Sequence, residues 1–362
     1  MLKKAAVLVL ACASLAASLG CGTTKSRFVY AALPTSNNIV AYREDPNSGA
    51  LIQLAGSPIS AGSGLEALAL HPSGKYLYAA NSGSNNISLY TISSTGGLTE
   101  VTPRTTAGTS PTLLAIDAAG SFLYVANTGS SDISVYSIDA SSGTLTAVAQ
   151  SGGPTAPLGL QAMNMALAPS GNFLYVTGEE QLAGGTTTGI IEAFSLSQGT
   201  IAQTPVPNSP FFTGNSPLGL AIDSSGSHLY TANKQDNSIS TFTINADGSL
   251  SAVGSAIGES YTGPVALLID KSGKYLYVAN QGSANVAAYN IGSDGGLSLL
   301  SGSPFTTGSQ PSVLASDSSS KYIFVGYNSG LQSFSMSSGV LTSVASYTLT
   351  ATGTPTSIVI TP

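Results

Sequence analysis

The sequence predicts an all-β protein, and three observations support this prediction. Gly, Ser and Thr are abundant, and charged residues make up only 8% of the chain, against roughly a quarter in average soluble domains. Short alternating runs of apolar residues recur along the chain, each bounded by Gly, Ser, Asn or Asp. Beyond the first residues, no stretch keeps the 3.6-residue apolar period of an amphipathic helix. Together these features favour strands joined by turns.

One sequence segment recurs throughout the chain beyond its first residues. The stretch KYLYVANQGSANVAAY begins at Lys274, and its counterparts include KYLYAANSGSNNISLY at Lys75 and SFLYVANTGSSDISVY at Ser121. A degenerate copy, KYIFVGYNSGLQSF, begins at Lys321. Seven aromatic residues mark the copies: Tyr30, Tyr78, Tyr124, Tyr175, Tyr230, Tyr277 and Phe324. They lie roughly 46 to 55 residues apart, a period typical of propeller blades.

Each repeat predicts four strands. In the third repeat these are PTLLAID, SFLYVAN, ISVYSID and TLTAVA. The first is almost wholly apolar, as expected for a strand buried on both faces, whereas the second and third alternate. DAAG, DSSG and DKSG join the first strand to the second, and Asp first with Gly fourth is typical of a type I turn. ADGS and SDGG join the third strand to the fourth as hairpins.

The two ends of the chain predict a closed ring. The repeat region starts on a second-type strand at Phe28 and finishes on a first-type strand from Thr356. The last strand can therefore complete the blade that the first one begins, which removes the exposed edges of an open array. We expect residues 28–362 to form a single seven-bladed β-propeller of four-stranded antiparallel blades.

The first residues resemble an export signal. Lys3 and Lys4 precede the apolar run AAVLVLACASLAASLG, which is shorter than the ~20 residues of a membrane-spanning helix. SLGC, ending at Cys21, resembles a bacterial lipobox, although Ser18 occupies the place usually held by Leu. We expect residues 1–21 to form a lipoprotein-type signal with lipid on Cys21, and residues 22–27 to form a short tether. Plain secretion is the alternative, and either predicts an exported protein of the cell envelope.

KYLYVAN with DKSG before it resembles the YVTN repeat and the related lactonase family of seven-bladed propellers, which includes 6-phosphogluconolactonase-like proteins. The resemblance implies Gly-Pro-Arg-His at the start of a first strand and Asn-Glu at the end of the next strand in hydrolytic members. In MNMALAPSGNFLYVTGEE, Glu179 matches the family Glu, Asn164 matches the His and Met163 matches the Arg. The resemblance therefore makes Glu179 and Asn164 candidate catalytic residues, without the Arg-His pair. The first full repeat places Glu66 and Ala67 at the corresponding positions.

The predicted topology brings the start of each first strand and the end of each second strand to one mouth of the central channel. A carboxylate there could activate water. Further candidate ligand-binding residues at this mouth are Glu180, Glu66, Asn81, Asn127, Asn233 and Asn280. The Asn residues could instead satisfy backbone groups of their own loops, and Glu179 and Glu180 could belong to a solvated acidic loop. The recurring Asp residues, His71 and His228 are better explained by turns and strand packing.

Two functions remain open on this sequence. The first is a binding or interaction scaffold at the cell envelope, recognising a glycan or a protein. The second is a lactone hydrolase, more compatible with an unphosphorylated lactone because no Arg or Lys accompanies the candidate site. The net charge of −6 offers no basic surface, so we expect no nucleic-acid partner. We expect no cofactor, no metal site, a monomer, and membrane contact only through the lipid on Cys21.

Overall fold

The computed structural model describes residues 26–151, 153–182, 185–258 and 260–362. The expected signal at 1–21, its Cys21 and residues 22–25 of the expected tether lie outside the described residues. Arg27, assigned to the tether, is the first residue of the first strand.

The described chain forms 33 strands and one short 3-10 turn, at Pro34–Ser36. The strands of blade 1 are β1 (Arg27–Leu33), β2 (Asn38–Glu44), β3 (Leu51–Gln53) and β4 (Ile59–Ser60), with β33 (Ser357–Ile360) at the other end of the chain. Blade 2 contains β5 (Leu65–Leu70), β6 (Tyr76–Asn81), β7 (Asn86–Ile92) and β8 (Leu98–Thr106). Blade 3 contains β9 (Pro111–Ile116), β10 (Phe122–Asn127), β11 (Asp132–Ile138), β12 (Leu145–Ala147) and β13 (Thr155–Pro157).

Blade 4 contains β14 (Asn164–Leu167), β15 (Phe173–Gln181), β16 (Thr187–Ser197), β17 (Thr200–Ile201) and β18 (Phe211–Thr213). Blade 5 contains β19 (Pro217–Ile222), β20 (His228–Asn233), β21 (Ser238–Ile244), β22 (Leu250–Ala252) and β23 (Ile257–Gly258). Blade 6 contains β24 (Pro264–Ile269), β25 (Tyr275–Asn280), β26 (Asn285–Ile291), β27 (Leu297–Leu299) and β28 (Phe305–Thr306). Blade 7 contains β29 (Val313–Ser316), β30 (Tyr322–Tyr327), β31 (Gly330–Ser337) and β32 (Val340–Thr348).

The seven sheets form a closed ring, which confirms the predicted seven-bladed propeller. The inner strands β33, β5, β9, β14, β19, β24 and β29 contact one another in sequence, and β29 contacts β33. The ends of the chain pair as expected, because β33 lies antiparallel to β1 with Ile358 opposite Ala31. We call the end of the ring at which the inner strands begin the top, and the opposite end the bottom.

The outer position of most blades differs from the predicted single strand. In blades 1, 3, 4, 5 and 6 two short strands pair with the third strand in place of one. The break leaves backbone N–H groups of the third strand without a strand partner. In three blades the serine of a Ser-Pro pair accepts such a hydrogen bond: Ser57 from Ala41 (2.9 Å), Ser209 from Ala193 (3.1 Å) and Ser303 from Ala288 (2.9 Å). The break is thus a repeated, satisfied feature of the blade.

The repeated tyrosines link each blade to the next. All seven anchoring aromatic residues are 2% exposed or less. Five of their hydroxyls donate to a glycine carbonyl of the next blade: Tyr30 to Gly96 (2.8 Å), Tyr78 to Gly143 (2.7 Å), Tyr175 to Gly248 (2.9 Å), Tyr230 to Gly295 (3.1 Å) and Tyr277 to Gly339 (3.0 Å). Burial raises the pKa of each of these hydroxyls well above its usual value. In five of the seven repeats, the tyrosine therefore fastens its blade to the next through a buried hydrogen bond.

The turns at the bottom use the recurring Asp as expected. Asp270 Oδ1 accepts the backbone N–H groups of Lys274 (2.9 Å) and Tyr275 (2.8 Å), and the carboxylate is almost fully buried. In blade 2 His71 takes this place, and its Nε2 lies 3.0 Å from the carbonyl oxygen of Gly120. The side chains of these turns are thus occupied within the fold.

Candidate functional site

A cavity of about 460 Å³ opens at the top of the central channel, between the inner strands of blades 1 to 4. We call it the channel-mouth cavity. Its polar lining consists of Glu66, Thr112, Thr128, Gln161, Asn164, Thr356 and Ser357, with Met163 and Met165 as its largest apolar residues. Among the described residues that line it, none is Lys, Arg or His. One carboxylate therefore stands among uncharged hydrogen-bonding groups.

The register of the inner strands explains why these residues reach the cavity. In β5, Leu65 pairs with Asn81 and Ala67 pairs with Ala80, so Glu66 between them has no partner in β6. Thr112 is skipped in the same way in β9. The extra residue at such a bulge is not paired with the neighbouring strand. Bulges often change the direction of a side chain beside an active site.

The bulge position differs in chemistry around the ring. Blades 2 and 3 place Glu66 and Thr112 at it, and both line the channel-mouth cavity. Thr356, just before the inner strand of blade 1, lines the cavity as well. Blades 5 and 6 place Leu218 and Val265 there. The mouth is therefore polar on one side and apolar on the other, which suits a ligand with both kinds of surface.

Glu66 is the only carboxylate among the described residues that line the cavity, and its surroundings shift its pKa. The side chain is half-buried, and the Ser82 hydroxyl donates to its Oε1 at 3.4 Å. Burial raises the pKa of the Glu66 carboxyl, and the Ser82 hydrogen bond lowers it by less. The Glu66 backbone carbonyl accepts the Thr356 hydroxyl at 2.6 Å, which joins blades 1 and 2 beneath the cavity. A carboxylate with a raised pKa in a cavity is a candidate proton acceptor.

Asn164 also lines the cavity, but its amide is already engaged. Its Nδ2 donates to the Leu218 carbonyl at 2.6 Å, across the junction between blades 4 and 5. Its Oδ1 accepts the backbone N–H of Met165 at 2.8 Å. Its contribution in this structure is to hold the inner strands of two blades together.

Glu179 and Glu180 lie at the end of β15, outside the lining of the channel-mouth cavity. Glu179 Oε1 accepts the backbone N–H of Ser216 at 2.9 Å, in the loop that precedes blade 5. Glu180 is exposed. The structure thus brings Glu66 and Asn164 to one cavity and does not bring Glu179 there.

The four recurring Asn residues are fully buried and hydrogen-bonded within their blades. Asn81 Oδ1 accepts the Gly62 N–H at 3.0 Å, and its Nδ2 donates to Asn86 and Ser88. The exposed fractions of Asn81, Asn127, Asn233 and Asn280 are 0%, 1%, 0% and 0%. In this structure their side chains shape the top loops and are closed to solvent.

Blade 4 has Gly178 in place of this Asn, and another side chain accepts the N–H group of the top-loop glycine. Glu192, on β16, accepts the Gly159 N–H at 3.4 Å, and Gly159 lies in the loop that Gly62 occupies in blade 2. Burial raises the pKa of Glu192, and the nearby charge of Glu180 raises it further. The blade with the longest top hairpin is therefore also the blade with an ionisable group at this position.

Thr112, Thr128, Gln161 and Thr356 line the cavity but were not predicted as cavity residues from the sequence. Lys234, at the top of blade 5, was not predicted as a site residue either. The available signal was the residue after each recurring Asn, since Ser82, Thr128 and Lys234 differ there while the strands before them are alike. Variation at a fixed position of a repeat marks residues that the fold itself does not require.

The described residues contain neither a candidate membrane-spanning helix nor a candidate metal-binding cluster. In the described ranges, no helix has the length and hydrophobicity needed to cross a membrane. No group of three or more His, Cys, Asp or Glu residues with metal-binding geometry occurs among them.

Comparison with known proteins identifies the family. The profile of the family described as "Lactonase, 7-bladed beta-propeller" matches residues 54–157 and 159–267, which together exceed half of the chain. No curated protein sequence gives a significant match.

Solved structures agree with the fold. A Bacteroides fragilis protein named as a candidate 6-phosphogluconolactonase has a TM-score of 0.74 at 19% identity, over 94% of this chain and 99% of that one. The periplasmic gluconolactonase PpgL of Pseudomonas aeruginosa has a TM-score of 0.75 at 17% identity, over 93% of this chain and 99% of that one. At such identities these structures show the shared fold. With the profile match over most of blades 2 to 5 and the ring of seven blades, the chain belongs to the seven-bladed β-propeller lactonase family.

Proposed function

We propose that this protein is an exported binding propeller that takes an uncharged, polyhydroxylated small molecule, such as a sugar, at the channel-mouth cavity. The observation behind this proposal is the lining of that cavity, whose described residues combine hydroxyl and amide groups with one carboxylate and no cationic side chain. Hydroxyl-rich ligands need many donors and acceptors, whereas a phosphorylated ligand needs Arg or Lys. The two Met side chains and the apolar side of the mouth would contact the less polar face of the ligand.

The proposed cellular arrangement is an envelope protein held by lipid on Cys21. The described chain enters the propeller at Arg27, at the bottom, because β1 runs from bottom to top beside β33. A lipid anchor a few residues before Arg27 would therefore direct the channel-mouth cavity away from the membrane. Cys21→Ser should move the protein from the membrane fraction to the soluble fraction, and mass spectrometry of the wild type should detect the attached lipid. A wild type that is soluble and unmodified would contradict the anchor and leave the cavity proposal standing.

Binding can be tested by calorimetry on the mature protein with neutral monosaccharides, oligosaccharides and aldonolactones. We expect at least one of these to bind wild type, and we expect Glu66→Gln to weaken that binding because one hydrogen-bond acceptor is lost. Lys75→Gln, on the exposed bottom surface, is the matched control and should bind like wild type. Equal binding by Glu66→Gln and wild type would place the ligand elsewhere.

Hydrolysis of an unphosphorylated lactone is the second candidate function. It is favoured by Glu66, whose half-buried carboxylate faces the cavity and has a raised pKa. Glu66 would accept a proton from water as the water oxygen bonds to the lactone carbonyl carbon. The ring C–O bond then breaks, the ring oxygen takes a proton back as a hydroxyl, and a hydroxy acid is formed. The names of the two solved relatives agree with this chemistry without assigning it to this chain.

A lactone panel with wild type, Glu66→Gln and Glu179→Gln separates the two carboxylates. We expect Glu66→Gln to lower kcat by about 100-fold or more, the usual contribution of a general base, while Glu179→Gln stays within about threefold of wild type. A large loss of kcat in Glu179→Gln, with little change in Glu66→Gln, would assign the general base to Glu179, in line with the family pattern. Absence of turnover by wild type on every lactone would leave ligand binding as the function.

A further inference from the structure

A second depression lies at the top of the propeller, on the side away from the channel-mouth cavity. Its volume is about 550 Å³, and it spans the loops of blades 5, 6 and 7. We call it the amide groove, because its lining includes Lys234, Gln235, Asn237, Thr262, Gln281 and Gln310. It shares no lining residue with the channel-mouth cavity.

Lys234 is the distinctive residue of the amide groove. Its backbone N–H donates to the Ser216 carbonyl at 2.9 Å, which fixes the main chain at the groove wall. Its side chain is half-buried, and in the described part of the protein its ammonium group has no carboxylate within 4 Å and no hydrogen-bond partner. A half-buried Lys side chain without a counter-charge favours an anionic ligand.

Two carboxylates of the loops beside the groove, Glu179 and Asp236, are hydrogen-bonded to Ser216 and Asn215. Glu179 accepts the Ser216 N–H at 2.9 Å, on the blade 4 side. Asp236 accepts the backbone N–H of Asn215 at 2.8 Å and its side-chain amide at 3.1 Å. Neither carboxylate is among the residues that line the groove. The described lining residues therefore offer a single positive charge, that of Lys234, beside neutral amides.

This composition defines the ligand by its charge and its hydroxyl groups. Gln235, Gln281 and Gln310 each present an amide with both donors and an acceptor, and Thr262 adds a hydroxyl. Such groups match the hydroxyls of a sugar, and one Lys balances one carboxylate. A phosphate group carries close to two negative charges at neutral pH and would be only half-compensated by Lys234.

We propose that the amide groove binds a sugar acid, a polyhydroxylated monocarboxylate whose carboxylate pairs with Lys234. This site is independent of the proposed ligand at the channel-mouth cavity, because the two linings are separate. An envelope protein with both sites would take a neutral sugar and a sugar acid on the same outward surface.

Calorimetry at low ionic strength with gluconate, galacturonate, glucose and inorganic phosphate tests the proposal. Wild type should bind one of the two acids, and Lys234→Gln should weaken that binding by about tenfold or more, as expected for a lost charge-assisted contact. Lys75→Gln, an exposed lysine at the bottom, should bind the acid like wild type, and so should Glu66→Gln, whose side chain lies in the other cavity.

Gln281→Ala is a second variant, which removes an amide and leaves the charge of Lys234 in place. It should lower the affinity for the acid by a smaller factor than Lys234→Gln does. Thermal unfolding of each variant checks that it is folded. The proposal is wrong if neither acid binds, if phosphate binds more tightly than the acid, or if a folded Lys234→Gln variant retains full affinity for the acid. It is also wrong if glucose binds as tightly as the acid and Lys234→Gln weakens both, because glucose bound at the channel-mouth cavity is not affected by that variant. Loss of acid binding in Glu66→Gln, with Lys234→Gln unaffected, would assign the acid to the channel-mouth cavity instead.

Discussion

The top and the bottom of the propeller are built from the same repeat, but they use its side chains differently. At the bottom, Asp recurs at one turn position, and its carboxylate is occupied by backbone N–H groups, as in Asp270 and Asp117. At the top, the positions beside the channel differ from blade to blade, as in Glu66, Thr112 and Met163. Repetition in this chain therefore marks residues needed by every blade, whereas variation marks surfaces that are free to bind a ligand.

The top and the bottom of the propeller depend on the same closed ring. Opening the ring should therefore have the largest effect on stability. Removing residues 356–362 deletes β33, whose Ile358 is buried, and frees Phe28 from the two hydrogen bonds it forms with Thr361. The inner strand of blade 1 would then be missing, and β1 would be an exposed edge. We expect the cooperative thermal transition of wild type to be lost or shifted down by tens of degrees, as measured by calorimetry.

The control for this truncation is removal of Pro362 alone, since that residue is exposed. It should unfold like wild type. A truncated chain that still unfolds at the wild-type temperature would show that ring closure contributes little to stability. The top and the bottom would then not depend on the closed ring.

The bottom contains one departure from its regular pattern, at the junction of blades 1 and 7. Arg27 Nη1 lies 2.9 Å from Asp317 Oδ2 and 3.4 Å from Glu44 Oε1, and the Glu44 Oε2 is buried without a hydrogen-bond partner. Burial, together with the nearby charges of Asp317 and Asp45, raises the pKa of Glu44 to about 7, although Arg27 acts in the opposite direction. A single cation therefore serves two buried carboxylates.

This junction predicts a pH-dependent stability. The folded pKa of Glu44 is above its ordinary value of 4.5, so its contribution is fully favourable below pH 4.5 and is lost as pH rises to about 7. The difference in the free energy of unfolding between wild type and Glu44→Gln should change by about 3 kcal/mol in favour of the variant between pH 4.5 and pH 8. Urea denaturation of both proteins at several pH values measures it. Parallel curves for the two proteins would exclude Glu44 as the titrating group.

The sequence predicts the blades and their closure because these depend on features repeated seven times. The anchoring Tyr residues, the Asp-Gly turns and the strand types at Phe28 and Thr356 each point to the same ring. Sequence alone could not predict which carboxylate reaches the cavity. Glu66 is turned inward by a one-residue bulge in β5, and Glu179 is held by a backbone N–H from the next blade. Both effects depend on the register and spacing of neighbouring strands, which leave no local pattern in the sequence.

The regular turns at the bottom should affect stability alone. Asp270→Ala removes the acceptor of the Lys274 and Tyr275 N–H groups in an almost fully buried turn. We expect a loss of about 2 to 3 kcal/mol in the free energy of unfolding, because buried donors are left unsatisfied. Ligand affinity at the top should be unchanged once the variant is folded, since the turn lies at the other end of the ring. A change in affinity as large as that of Glu66→Gln would contradict the claim that the bottom turns affect stability alone.

The smallest effect on stability should come from the top. Thr112→Val removes a hydroxyl whose contact with Thr128 is long, at 3.5 Å, and which faces the channel-mouth cavity from a bulge. Because Thr112 is skipped in the ladder, no backbone pairing depends on its side chain, and we expect unfolding to change by about 0.5 kcal/mol or less. The affinity for a neutral sugar should nevertheless fall by several-fold, because the cavity loses a donor and an acceptor. Calorimetric titration and urea denaturation of this one variant compare the two quantities directly. A large loss of stability would mean that the mouth residues are as much part of the scaffold as the turns below them.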